Sequence, residues 1–173
     1  GHMYGHPGKK MLFMGGEIGQ WWEWNHDDSL QWHLLDHAPH QGLKQYVADL
    51  NRLYQSQPAL YEVDFEWQGF QWIDLHDSDN STLTYLRFAR NLNDCIVCAC
   101  NFTPVPRTGY RMGVPKEGIY RELMNSDAEI YGGSNLGNAG AVHAESIPHH
   151  NQPYSVLVTL PPLSVVFFKS IVD

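Results

Sequence analysis

The sequence predicts a mainly β fold: a C-terminal antiparallel β-sandwich over residues 61–173, preceded by a strand, a long loop and a helix within residues 4–60. Three observations carry this. The chain has 173 residues, 43% hydrophobic and 17% charged, enough to bury one good core. Up to about residue 64 the apolar residues form one short run and then recur at helical spacing. Beyond it the period shortens to two, and Asp, Asn and Ser clusters separate the apolar stretches.

In chain order, Gly1-His2-Met3 reads as the scar of a cleaved tag, with the boundary near Tyr4. Met11-Leu12-Phe13-Met14, closed by Gly15-Gly16, has the continuous apolar character of a strand buried on both faces. Residues 17–41 show no period and are rich in Trp, His, Asn and Asp, which marks a long functional loop. Leu43, Tyr46, Val47, Leu50, Leu53 and Tyr54 share one helical face, so residues 42–57 form an amphipathic helix stopped by Pro58. Strands follow at Phe70–Leu75, Thr82–Arg87, Cys95–Phe102, Tyr110–Met112, Ile119–Met124, Tyr154–Leu160 and Val165–Lys169. Residues 132–140 make a turn-rich loop without a phosphate-binding glycine register. A strand with a rich loop at its C-terminal end and then a helix is the closing unit of a (β/α)8 barrel, where ligand sites occupy such loops.

Composition limits function. Eleven Lys and Arg against 19 Asp and Glu give a net charge of -8, which repels phosphate backbones and anionic lipid. Nucleic acid and membrane surfaces are therefore not expected partners, and no apolar stretch reaches the roughly 20 residues that span a bilayer. Cys95, Cys98 and Cys100 fall in one apolar run, too close to staple a fold, which suits a reducing cytoplasm. A zinc site would need a second ligand pair that does not follow, so no metal or other cofactor is expected. Six Trp, nine Tyr and seven Phe in a weakly charged chain suit neutral polyhydroxylated ligands as well as cores.

Trp21, Trp22, Trp24 and Trp32 lie within one dozen-residue loop together with Asn25, His26 and Asp28. Glucose rings stack on flat aromatics while such polar groups bond their hydroxyls, so this is the candidate binding site. The competing reading packs two or three of these indoles beneath the loop and helix. Trp67, Phe70 and Trp72 offer a second aromatic patch, although Trp72 fits a core position. His33, His37 and His40 have helical ligand spacing, but Pro39 is expected to end any helix there. Asp27 and Asp28 diverge as sequence neighbours and cannot bracket a glycosidic oxygen.

Several blocks carry a family resemblance: Gly8-Lys9-Lys10-Met11-Leu12-Phe13-Met14-Gly15-Gly16-Glu17-Ile18-Gly19-Gln20, Glu23-Trp24-Asn25-His26 and Leu30-Gln31-Trp32-His33-Leu34-Leu35. Asn101-Phe102-Thr103-Pro104-Val105-Pro106-Arg107, Tyr120-Arg121-Glu122, Asn125-Ser126-Asp127, Gly133-Ser134-Asn135 and Leu160-Pro161-Pro162-Leu163 extend it. Together they resemble the C-terminal portion of glycogen (1,4-α-glucan) branching enzymes of the α-amylase superfamily. The resemblance implies cleavage of an α-1,4 glucan, a covalent glycosyl-enzyme and transfer to a glucose 6-hydroxyl, forming an α-1,6 branch. Its catalytic carboxylates lie on earlier barrel strands and would precede residue 1, so this piece alone is expected to be inactive. Glu17 matches a family Glu near the active-site mouth that supports the site without being catalytic. The expected partner is α-1,4 glucan, as glycogen or maltooligosaccharide. The apolar stripe of the helix, in turn, should either pack on the sandwich or drive self-association through residues 10–57. The alternative is a stand-alone, non-catalytic glucan-binding or scaffold domain.

Overall fold

The computed structural model describes residues 1–171. Its elements are α1 (His2–Gly5), α2 (Ala38–Ser56), β1 (Phe70–Asp74), β2 (Thr82–Phe88), β3 (Cys95–Asn101), β4 (Arg107–Val114), β5 (Ile119–Asn125), β6 (Ala141–His143), β7 (Tyr154–Leu160) and β8 (Ser164–Ile171). Isolated 3-10 turns occur at Gly16–Ile18, Trp32–Asp36, Pro58–Leu60, Trp67–Gly69 and Glu129–Tyr131.

A six-stranded antiparallel sheet, ordered β1-β2-β3-β8-β5-β6, faces a two-stranded sheet of β4 and β7. Alternation along each strand divides the apolar residues between two layers. Leu86, Val97, Ala99, Val166 and Phe168 meet Met112, Val114, Val156 and Val158 between the sheets. Tyr85, Ile96, Cys98, Cys100 and Phe167 point the other way and pack with Leu50 and Leu53 of α2 and with Tyr4 of α1. All seven residues of β3 are buried, which explains why its sequence runs apolar without alternation.

The helix stripe therefore docks on the outer face of the large sheet, as one of the two expected arrangements had it. Pro39 sits in the first turn of α2, where its missing N–H costs nothing. Contrary to expectation it opens the helix at Ala38 instead of ending one. The strand expected at Met11–Met14 does not form, and those residues are exposed. A strand of this kind needs neighbours on both edges, and none of the described strands pairs with it. Gly1-His2-Met3, expected as an added scar, are ordered at the start of α1, and Met3 packs beside Tyr4 against the core.

A buried ion pair joins the first 69 residues to the sandwich. Arg87 of β2 is fully buried and donates to the Gly69 carbonyl at 3.2 Å, Gly5 at 2.6 Å, Leu60 at 3.1 Å and the Asp64 carboxylate at 2.6 Å. Asp64 also accepts the Gly8 N–H at 3.2 Å. Such a pair is tolerated in a core only when its polar atoms find partners, and here each guanidinium nitrogen and both carboxylate oxygens have one.

Candidate functional site

The loop from Gly15 to His37 is held between α2 and its own turns. Gly15 (φ 80) and Gly19 (φ 64) bracket the first turn in left-handed conformations that a side chain would disfavour. Ile18 is buried, and its carbonyl accepts a hydrogen bond from His40 Nδ1 at 2.7 Å. Beyond it two amide side chains interlock. Gln31, only 6% exposed, accepts the backbone N–H groups of Trp21 and Trp22 on Oε1, both at 3.0 Å. Its own N–H donates to Gln20 Oε1 at 3.1 Å, and Gln20 Nε2 donates to the Trp22 carbonyl at 3.2 Å.

The indoles supported by this framework face outward: Trp21 is 72% exposed, Trp22 70%, Trp24 44% and Trp32 52%. The packed-indole alternative is thus not what the fold shows. Trp22, Asn25 and Asp28 line a recess of about 150 Å³ together with Gln20, Glu23 and Gln31. Trp24 stands edge-on to Phe13, centroids 5.4 Å apart, and beside His26 at 5.9 Å. Trp21 meets His40 edge-on at 5.4 Å. Glu17 is half-buried in the turn Gly16–Ile18 and Trp32 opens the turn Trp32–Asp36, so neither lines the recess. Sequence reasoning misses Gln20, Gln31 and Phe13; isolated amides produce no periodic signal, and Phe13 falls in a run with the composition of a strand.

Elsewhere, His37 precedes the first residue of α2 without a side-chain capping bond and lies 6.4 Å, ring to ring, from His40; no metal-binding group of three or more His, Cys, Asp or Glu occurs among the described residues. Cys95, Cys98 and Cys100 are buried and free. Burial pushes the Cys100 thiol up to about 12, so it is an unreactive packing group at neutral pH. Trp72, expected in the core, lies on the edge strand β1 with 37% exposure, packed edge-on to Phe70 at 4.8 Å. Trp67 projects from its turn at 83% exposure. A larger open cavity of about 850 Å³ between Asn93, Lys116 and Lys169 includes none of the loop residues.

Residues 72–171 match the family described as the alpha amylase C-terminal all-beta domain. The chain belongs to this family. The alpha-amylase C-terminal domain thus comprises the sandwich from the middle of β1 onward. Over nearly its full length the chain is also similar to curated bacterial relatives. It is 55% identical over 170 residues to the 1,4-alpha-glucan branching enzyme GlgB of Cupriavidus pinatubonensis, covering 98% of this chain and 23% of that protein. It is 51% identical over 169 residues to GlgB of Aquifex aeolicus, covering 98% and 27%. With GlgB of Aromatoleum aromaticum the identity is 52% over 173 residues, 100% of this chain and 27% of that one, so the match includes the three opening residues. The chain spans about a quarter of the length of these curated relatives. The resemblance to branching enzymes read from the sequence blocks therefore holds, as does the mainly β alpha-amylase-type fold. No helix among the described residues is long and apolar enough to cross a membrane.

Proposed function

We propose that this chain is the C-terminal portion of a 1,4-α-glucan branching enzyme and that its Trp-rich loop forms part of the glucan groove. The parent enzyme cleaves an α-1,4 glucan through a covalent glycosyl-enzyme and transfers the segment to a glucose 6-hydroxyl, in the cytoplasm and without a cofactor. Its catalytic carboxylates belong to the rest of the barrel, and the chain alone is inactive. Residues 61–173 buttress the barrel, while residues 4–60 complete it.

The observation that carries the binding role is the outward display of Trp21, Trp22, Trp24 and Trp32 on one loop, with Trp22 lining a recess beside Asn25 and Asp28. Exposing several indoles to water is costly in a free domain, and a flat apolar face beside hydroxyl-binding groups recovers that cost on a sugar ring. His26 adjoins this surface beside Trp24 at 5.9 Å, and Glu17 supports the loop from the turn Gly16–Ile18. The test is a fluorescence titration of the chain with maltoheptaose, with an unrelated oligosaccharide as control. Saturation at about millimolar ligand, near -4 kcal/mol, is expected, with loss in Trp24→Ala. A flat titration of folded protein favours a second reading, a scaffold. That reading draws on the structural use of four blocks that carry the family resemblance, those containing Asn101, Asn125 with Asp127, Ser134 and Pro161. Asn101 binds the carbonyls of Val105 and Pro161, Asn125 that of Leu136, and Asp127 the Ser134 hydroxyl.

A further inference from the structure

We propose that Gln20 and Gln31 are positioning residues that fix the Trp21-Trp22 pair at the rim of the recess. This rests on the reading of the loop as a glucan site and adds how the site keeps its shape. With 72% and 70% exposure, the two indoles are not held by burial; Trp21 meets His40 edge-on. Their backbone is held instead. An amide oxygen has two lone pairs, and those of Gln31 are filled by the N–H groups of Trp21 and Trp22 at 3.0 Å each. The Gln31 amide is aimed by the chain on both sides, because its backbone N–H is fixed on Gln20 Oε1 at 3.1 Å and Gln20 reaches back to the Trp22 carbonyl at 3.2 Å. The result is a closed ring of side-chain-to-backbone bonds joining residues 20–22 to residue 31 across the mouth of the loop. Both amides also line the recess. Directing two adjacent N–H groups onto one buried oxygen fixes the direction of the peptide between two flat side chains before any ligand arrives, which lowers the ordering cost of binding.

The roles of the two residues differ chemically, and that makes them testable. Gln31 acts toward the indoles only as an acceptor, so Gln31→Glu keeps the lock, whereas Gln31→Met has similar length and no acceptor, leaving two N–H groups unpaired. The experiment measures maltoheptaose affinity by calorimetry and the exchange rates of the Trp21 and Trp22 amides by NMR, in the chain and in both variants. The expected result is slow exchange in the chain and in Gln31→Glu, fast exchange in Gln31→Met, and an affinity loss of about tenfold confined to Gln31→Met. Equal affinity in the two variants would overturn the positioning role, because a merely structural Gln31 would move stability and not the split between Glu and Met. Fast exchange of both amides in the unsubstituted chain would overturn the lock itself, whatever the affinity. A flat titration with slow, Gln31-dependent exchange would instead remove the glucan reading, and the positioning role with it, while leaving the lock in place.

Discussion

Arg87 shows how much a single side chain can decide. Replacing it by Met leaves the Asp64 carboxylate buried without its cation and the Gly5, Leu60 and Gly69 carbonyls short of a donor. Breaking a buried pair on one side costs about 3–5 kcal/mol, a large share of the stability of a domain this size. Urea unfolding of Arg87→Met should show that loss, and a change under about 1 kcal/mol would contradict the assignment. Asp77 makes a subtler case. Burial opposes its charge, but hydrogen bonds from Asn80 and Thr82 outweigh this and hold the carboxyl below its ordinary value. The folded state thus prefers the ionised form. Its contribution is present above about pH 4 and fades as pH falls through the depressed folded value. The stability gap between the chain and Asp77→Asn should be widest near neutrality and close in acid; a gap independent of pH would contradict this. Neither role was legible in the sequence, because a lone Arg in an alternating strand and an Asp in a turn look like surface residues until the chain folds over them.

Among elements, the β-strands were the most legible and the Met11–Met14 segment the least. Apart from their ends and from β6, the strands from Phe70–Asp74 through Ser164–Ile171 lie where alternation or, for β3, a continuous apolar run places them, because their partners are within the chain. The three-residue β6 escaped notice, since Ala141–His143 is too short to show a period. Met11–Met14 has the composition of a strand, but composition cannot supply neighbours. For α2 the stripe was read correctly, and Leu50, 2% exposed against the large sheet, is where it bears most. Leu50→Ala should destabilise the chain by about 2–5 kcal/mol in thermal or urea melts. A second prediction runs against helix propensity. Ala is favoured over Gly inside a helix by about 1 kcal/mol, yet the Tyr131 carbonyl lies where a Gly42 Cβ would project. Gly42→Ala should therefore lower stability; an increase would mean that the loop at Glu129–Tyr131 yields freely.

At the scale of the whole molecule, the buried and exposed apolar surfaces divide unevenly. The sandwich and the helix layer are closed, whereas Met11 (75% exposed), Phe13 (56%), Phe65 (73%) and Trp67 (83%) remain in water. Exposed apolar residues of this size favour association. Sedimentation of the chain should show concentration-dependent association that Phe13→Asp weakens; identical behaviour of the two would show that this segment takes no part. The overall plan was legible because layers follow from periodicity. The loop's role was only partly so: its residue types were visible, but the two amides that shape it act through geometry that no spacing rule encodes.

The four acceptors of Arg87 have one further consequence. They come from Gly5, Leu60, Asp64 and Gly69, all upstream of the stretch recognised as the family domain. A polypeptide trimmed to that stretch would keep β2 through β8 and lose every group that neutralises or solvates a cation in the interior. A cut at residue 72 would thus strand a buried cation, and any cut that keeps all four of its acceptors lies before residue 5.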